Sequence, residues 1–222
     1  MATQLLQPRR FTVDEYFRMG ELGILPGGPM ELIDGRVLIG GRPWRLSTED
    51  YHRLAEAGIL GEDDRVELIE GEIIEMSPTG SRHSGTLKRL VALFSQQLGS
   101  AVVLSVQDPL EMSDGTQPQP DLMLLRPRPD FYSESHPTPT DVLLLIEVAD
   151  TSLAVDRTQK ADLYAAAGIP EYWVVDVDRR RVFVHTGAMP TGYAKAETRD
   201  ADDSWSMQQL DGLSVSGKDI FG

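Results

Sequence analysis

The chain has 222 residues, 41% of them hydrophobic, which is enough to bury the core of one compact domain with an appendage rather than to stay disordered. Its formal charge of −14 argues against a general phosphate-binding surface, and the absence of cysteine excludes disulfides, thiolate zinc sites and a cysteine nucleophile. There is no apolar run of the roughly 20 residues a membrane span needs, and the opening MATQLLQPRR lacks the order of a secretory signal, so a cytoplasmic protein with no membrane attachment is expected.

The first elements come as a pair. Residues 11–39 (FTVDEYFRMGELGILPGGPMELIDGRVLI) and 46–74 (LSTEDYHRLAEAGILGEDDRVELIEGEII) align through Tyr16 with Tyr51, GIL 23–25 with GIL 58–60, and ELIDG 31–35 with ELIEG 67–71. Thr12 and Ser47 or Thr48 stand before acidic first turns as helix N-caps do, and Gly23 and Gly58 stand where each helix would stop. Asp34-Gly35 and Glu70-Gly71 lie between alternating apolar positions, the pattern of tight hairpin turns. Each copy therefore reads as a capped helix followed by a hairpin. The second copy runs directly into the rest of the chain, so residues 1–41 are read as an extra copy of the module and residues 42–222 as the main domain, which should fold without the first 41 residues.

Further along, residues 82–98 place Leu87, Leu90, Val91, Phe94 and Leu98 at helical spacing up to Gly99. Strands are expected at 101–106 and 121–125. A third, VLLLIEV at 142–148, is uniformly apolar and so belongs in the middle of a sheet. Residues 156–167 read as a regular helix ending at Gly168 and Pro170, and 172–177 as a fourth strand. The order is helix, three strands, helix, strand: a mixed α/β sheet flanked by helices. The proline- and charge-rich stretch 126–139 reads as a loop; Arg181 to His185, a Gly/Pro-rich turn and weaker strand-like pieces ending in GKDIFG read as cover for a sheet edge.

Two carboxylates interrupt apolar strands. Asp121 follows Pro120 at the start of DLMLL, and Glu147 lies near the end of VLLLIEV. A carboxylate there is costly to bury without a partner. A divalent cation, an arginine, a turn or solvent exposure would each answer that cost.

The segments PD 120–121, IEV 146–148 and DRTQKADLYAAAGIPEYWVVD 156–176, preceded by ELIEGEIIEMSPTGSRHS 67–84, closely resemble the bacterial restriction-endonuclease family often called Uma-two, which is assigned to the PD-(D/E)XK nuclease superfamily. The resemblance runs from residue 46 to the C-terminus. It implies a restriction-endonuclease-like fold and hydrolysis of DNA phosphodiester bonds, with Asp121, Glu147 and the carbonyl of Val148 holding Mg²⁺ or Mn²⁺. The superfamily lysine falls at 149, which is alanine here, and Lys160 on the following helix is its implied replacement, on one helix face with Asp156 and Tyr164. A surface lysine paired with Asp156 or Asp162 is the plainer alternative.

His83, Glu67 and Tyr164 are candidates to touch substrate or support the ligands. For His83 a solvent-facing or hydrogen-bonded ring is the plainer reading, and for the acidic hairpin of Glu67, Glu70, Glu72 and Glu75 a solvated face. Arg9 with Arg10, Arg179 to Arg181, and Arg82 with Lys88 and Arg89 form short basic clusters, each suited to a DNA-facing rim or to an ordinary wet surface. Trp173 and Tyr172 read as core. No phosphate-cradling glycine loop is present, so no nucleotide cofactor is expected. A homodimer fits the resemblance. The rival reading is a non-catalytic nuclease-fold scaffold for protein or nucleic-acid association, motivated by Ala149, the acidity and the extra N-terminal copy.

Overall fold

The computed structural model describes residues 6–61, 63–210 and 212–222, which divide into two compact units. One comprises residues 6–78 together with 112–118. The other comprises 79–111 and 119–222.

In the first unit both helix-hairpin segments form as their local signals predict. Helices α1 (Val13–Glu21) and α2 (Thr48–Glu56) are capped by Thr12 and Ser47, each in a reciprocal capping box with the residue three positions on. Strands β1 (Met30–Ile33) and β2 (Arg36–Ile39) form one hairpin, which β3 (Arg42–Pro43) extends; β4 (Val66–Ile69) and β5 (Glu72–Glu75) form the other. Both turns have two residues at positive φ (Asp34 and Gly35, Glu70 and Gly71), the conformation that matches strand twist. The same close contact recurs in each: a side chain at Gly35 would collide with Arg10, and one at Gly71 with Arg45, whose Cβ would be only 2.9 Å away.

Gly58 also has positive φ, but nothing lies within 4 Å of where its side chain would be. Gly58→Ala is therefore expected to lose about 1 kcal/mol, and Gly71→Ala clearly more, because collision adds to strain. Urea midpoints of the two variants compare them directly; equal losses would contradict the contact.

The line drawn at residue 41 crosses a single core. Phe11, Met19, Ile24 and Val37 of the first copy pack in one cluster with Trp44, Leu46, Leu54, Ile59, Leu60, Val66, Leu68 and Ile73. Residues 112–118, which carried no assignment from sequence, join this unit through paired backbone hydrogen bonds between Gln117 and Leu68.

The second unit holds a six-stranded mixed sheet. Helix α3 (Ser81–Leu98) precedes β6 (Val103–Ser105), β7 (Leu122–Leu125) and β8 (Val142–Ala149). The chain then runs through α4 (Leu153–Val155), a π-helical turn at Asp156–Lys160 and α5 (Ala161–Ala166) into β9 (Glu171–Asp176). The strand order is β11-β10-β9-β8-β7-β6, with only the β8–β9 pair parallel. As its apolar run requires, β8 is fully buried between two neighbours.

Strands β10 (Arg181–Met189) and β11 (Gly192–Asp200) turn the expected strand-like edge cover into full members of the sheet, which they extend beyond β9. Strand β11 is mostly exposed and has few large apolar residues, so its strand signal is weak. A small hairpin, β12 (Ser204–Ser206) with β13 (Ser214–Ser216), leads to the closing helix α6 (Gly217–Phe221), capped by Ser216 and formed by the GKDIFG segment. Leu87, Leu90 and Phe94 of α3 pack on Ile146, Val148, Trp173 and Val175 in the core of this unit.

Candidate active site

Asp121 and Glu147 meet because of strand register. Leu122 pairs with Ile146 across antiparallel β7 and β8, so the residues one step outward, Asp121 and Glu147, stand opposite each other on the same face. Strand β7 begins only at Leu122, which leaves nearby backbone donors to the two carboxylates. The Val148 N–H donates to Asp121 Oδ2 (2.8 Å), and the Asp121 N–H donates to Glu147 Oε2 (3.3 Å).

The helix after β8 supplies the cation. Ile146 and Val148 belong to the α3-side core, so by alternation Glu147 points to the other face. There Lys160 Nζ (3.0 Å) and the Tyr164 hydroxyl (2.9 Å) both donate to Glu147 Oε1. Both groups are buried, the lysine and glutamate side chains being 8% and 6% exposed. This disposes of the surface-lysine reading. The regular helix expected at 156–167 is instead π-helical at Asp156–Lys160. The Asp156 carbonyl accepts the Tyr172 hydroxyl from β9 (2.9 Å), a partner outside the helix. Single π turns of this kind concentrate at functional sites.

Helix α3 closes the other side. His83, in its first turn, is buried rather than solvent-facing, and its Nε2 lies 3.0 Å from Asp121 Oδ2. Gln107 was not anticipated: its amide donates to Asp121 Oδ1 at 3.1 Å. It holds φ at +55°, an uncommon conformation for a non-glycine residue that the surrounding structure must enforce. No sequence pattern marks such a residue.

Asp121 is 7% exposed. Burial pushes its carboxyl up, but the hydrogen bond and charge of His83, the Val148 N–H and the Gln107 amide outweigh burial and hold it below the usual aspartate value. Folding thus favours the ionised form, so its stabilisation is present at neutral pH and lost as pH falls below about 4. Asp121→Asn is expected to flatten the acid limb of the stability curve; wild-type and variant limbs of equal slope would contradict this.

The remaining candidates fall elsewhere. Glu67 lies in β4 of the other unit and is 2% exposed, so the solvated-face expectation fails for it, while Glu70 and Glu75 are exposed. Arg82 is held between Asp150 (2.9 Å) and Asp178 (2.6 Å), Arg9 pairs with Glu15 (2.7 Å), and Arg181 pairs with Asp176 (3.3 Å). Each of those basic clusters thus gives at least one arginine to a local ion pair. Trp173 and Tyr172 are core, as expected.

Among the described residues no group of three or more histidine, aspartate or glutamate side chains is placed to hold a metal ion. A cation here would rest on two carboxylates, Asp121 and Glu147, with backbone oxygen and water completing its shell. That donor set is all hard oxygen, and one or two carboxylates with several waters is how Mg²⁺ is commonly held. Asp121 Oδ1 and Glu147 Oε2 each accept one of these hydrogen bonds, and a carboxylate oxygen has room for more than one contact. The residues therefore fit the ion.

A helix, three strands, a helix and a strand, with an acidic pair where the second strand begins and the third ends, define the restriction-endonuclease-like class. The model of the Uma2 family, described as "Putative restriction endonuclease", matches residues 48–216, and the chain belongs to that family. Among solved structures it is similar to "a putative nuclease belonging to DUF820" from Anabaena variabilis. The TM-score is 0.60 at 17% identity, covering 79% of this chain and 97% of that one, a likeness of fold. No curated protein matches. Among the described residues no helix is long and apolar enough to cross a membrane.

Proposed function

We propose that this protein is a metal-dependent endonuclease that hydrolyses DNA phosphodiester bonds, working in the cytoplasm as a homodimer. The observation that carries this reading is the buried meeting of Lys160 with Glu147, opposite Asp121 across adjacent strands. It supplies, from the helix, the ammonium that Ala149 cannot. Asp121, Glu147 and the carbonyl of Val148 would hold Mg²⁺ or Mn²⁺, which when bound activates water and offsets charge on the attacked phosphate. Lys160 and Tyr164 fix the Glu147 carboxylate through two hydrogen bonds to one oxygen, and Lys160 brings positive charge to the place where phosphate charge develops. His83 and Gln107 fix Asp121 in the same way.

A second reading, the non-catalytic scaffold, is favoured by one observation. Each of the four carboxylate oxygens at the site already accepts a hydrogen bond from the protein. Nicking of supercoiled plasmid at low salt separates the two. Conversion to open circles with Mg²⁺ or Mn²⁺ and none with a chelator is expected; intact plasmid under every metal condition would leave the scaffold.

A further inference from the structure

Beside Asp121 a groove of about 540 Å³ runs between α3 and the segment that follows β6. Leu87, Val91 and Val106 give it apolar walls, and Val106 is 39% exposed, unusual for a valine at the edge of a core. In a chain of charge −14, no carboxylate is among the described residues that line it, and Lys88 is. Two lining residues, His83 and Gln107, are the same two that hold the Asp121 carboxylate.

We propose that this groove receives one unpaired base of the DNA strand, next to the phosphate presented to Asp121 and Glu147. The volume suits a single nucleotide, whereas a duplex about 20 Å across has no place in it. Aliphatic walls accept the faces of a base, and Lys88 meets the neighbouring phosphate. The preferred substrate is thus single-stranded or locally opened DNA. The inference rests on the nuclease reading for its choice of ligand, but binding tests it apart from cleavage.

Ala92 lines the groove and is exposed on α3, so Ala92→Glu places a carboxylate there without touching the core or the acidic site. Wild type and variant are titrated, with chelator and no divalent metal, against a short fluorescein-labelled single strand and the duplex of the same sequence. The wild type is expected to bind the single strand about tenfold more tightly than the duplex, and Ala92→Glu, with an unchanged melting curve, to lose that preference. Duplex bound as tightly as single strand, or a preference that survives in Ala92→Glu, overturns the proposal. A strand preference that Ala92→Glu abolishes, in a protein that nicks no plasmid, sinks the nuclease reading and leaves the groove assignment standing.

Discussion

Replacing Lys160 with methionine is expected to lower the unfolding free energy by about 3–5 kcal/mol, the usual range when one member of a buried ion pair is removed. The length and apolar bulk of the side chain are kept, so little packing is lost. What changes is that Glu147, 6% exposed at its side chain, keeps the Tyr164 hydroxyl and the Asp121 N–H but loses its cation. The cost is that of an uncompensated buried carboxylate. If so, adding Glu147→Gln should recover a large part of it, because position 147 then carries no unpaired charge. Urea unfolding of the two single variants and the double variant measures the coupling. A Lys160→Met protein as stable as wild type would mean the pair does not exist in solution.

Deleting residues 1–41 is expected to abolish cooperative folding of the first unit. The sequence invites the opposite outcome, since the second copy continues into the rest of the chain and looks self-sufficient. Yet Phe11, Met19, Ile24 and Val37 are at most 9% exposed and share one cluster with Leu46, Leu54 and Ile73 of the second copy. Each buried large apolar side chain is worth about 2–5 kcal/mol when truncated to alanine. Four together rival the whole stability of about 5–15 kcal/mol that a domain possesses. Hydrogen bonds between the copies go as well, among them those from Arg18 to the Ala57 carbonyl (2.6 Å) and from Arg53 to the Gly23 carbonyl (2.9 Å). Amide hydrogen exchange over residues 46–75 reads the outcome: rapid exchange throughout is expected in the truncated chain, and retained protection would contradict a shared core.

What could be read from sequence follows the range of the forces involved. Capping boxes at Thr12 and Ser47, and the Asp34-Gly35 and Glu70-Gly71 turns, depend on neighbours within a few residues, and they form where their residue types require. The central place of β8 was legible because burial on both faces leaves no polar alternation. The meeting of Asp121 with Glu147 needed only strand register, but Lys160 was visible through family resemblance alone. Its spacing from Tyr164 is the same whether the preceding turn is α or π.

Other features depend on distant partners. The π turn involves the Tyr172 hydroxyl, Gln107 is held in its conformation by its surroundings, and the acidic look of the β4–β5 hairpin hides a buried Glu67. Strand β11 was legible only as a weak strand-like piece for a different reason, since GYAKAETRD alternates but is mostly exposed and puts only alanines and a threonine opposite its charged face.

The central claim is that Asp121, Glu147 and Lys160 act together on a phosphodiester. The most direct test is the rate of supercoiled-plasmid nicking in Mg²⁺ or Mn²⁺ by wild type, Asp121→Ala and Lys160→Ala, each checked by circular dichroism to be folded at the assay temperature. Metal-dependent nicking by wild type, falling about 100-fold or more in both variants, is the predicted result. Nicking that continues undiminished in folded Asp121→Ala would contradict it.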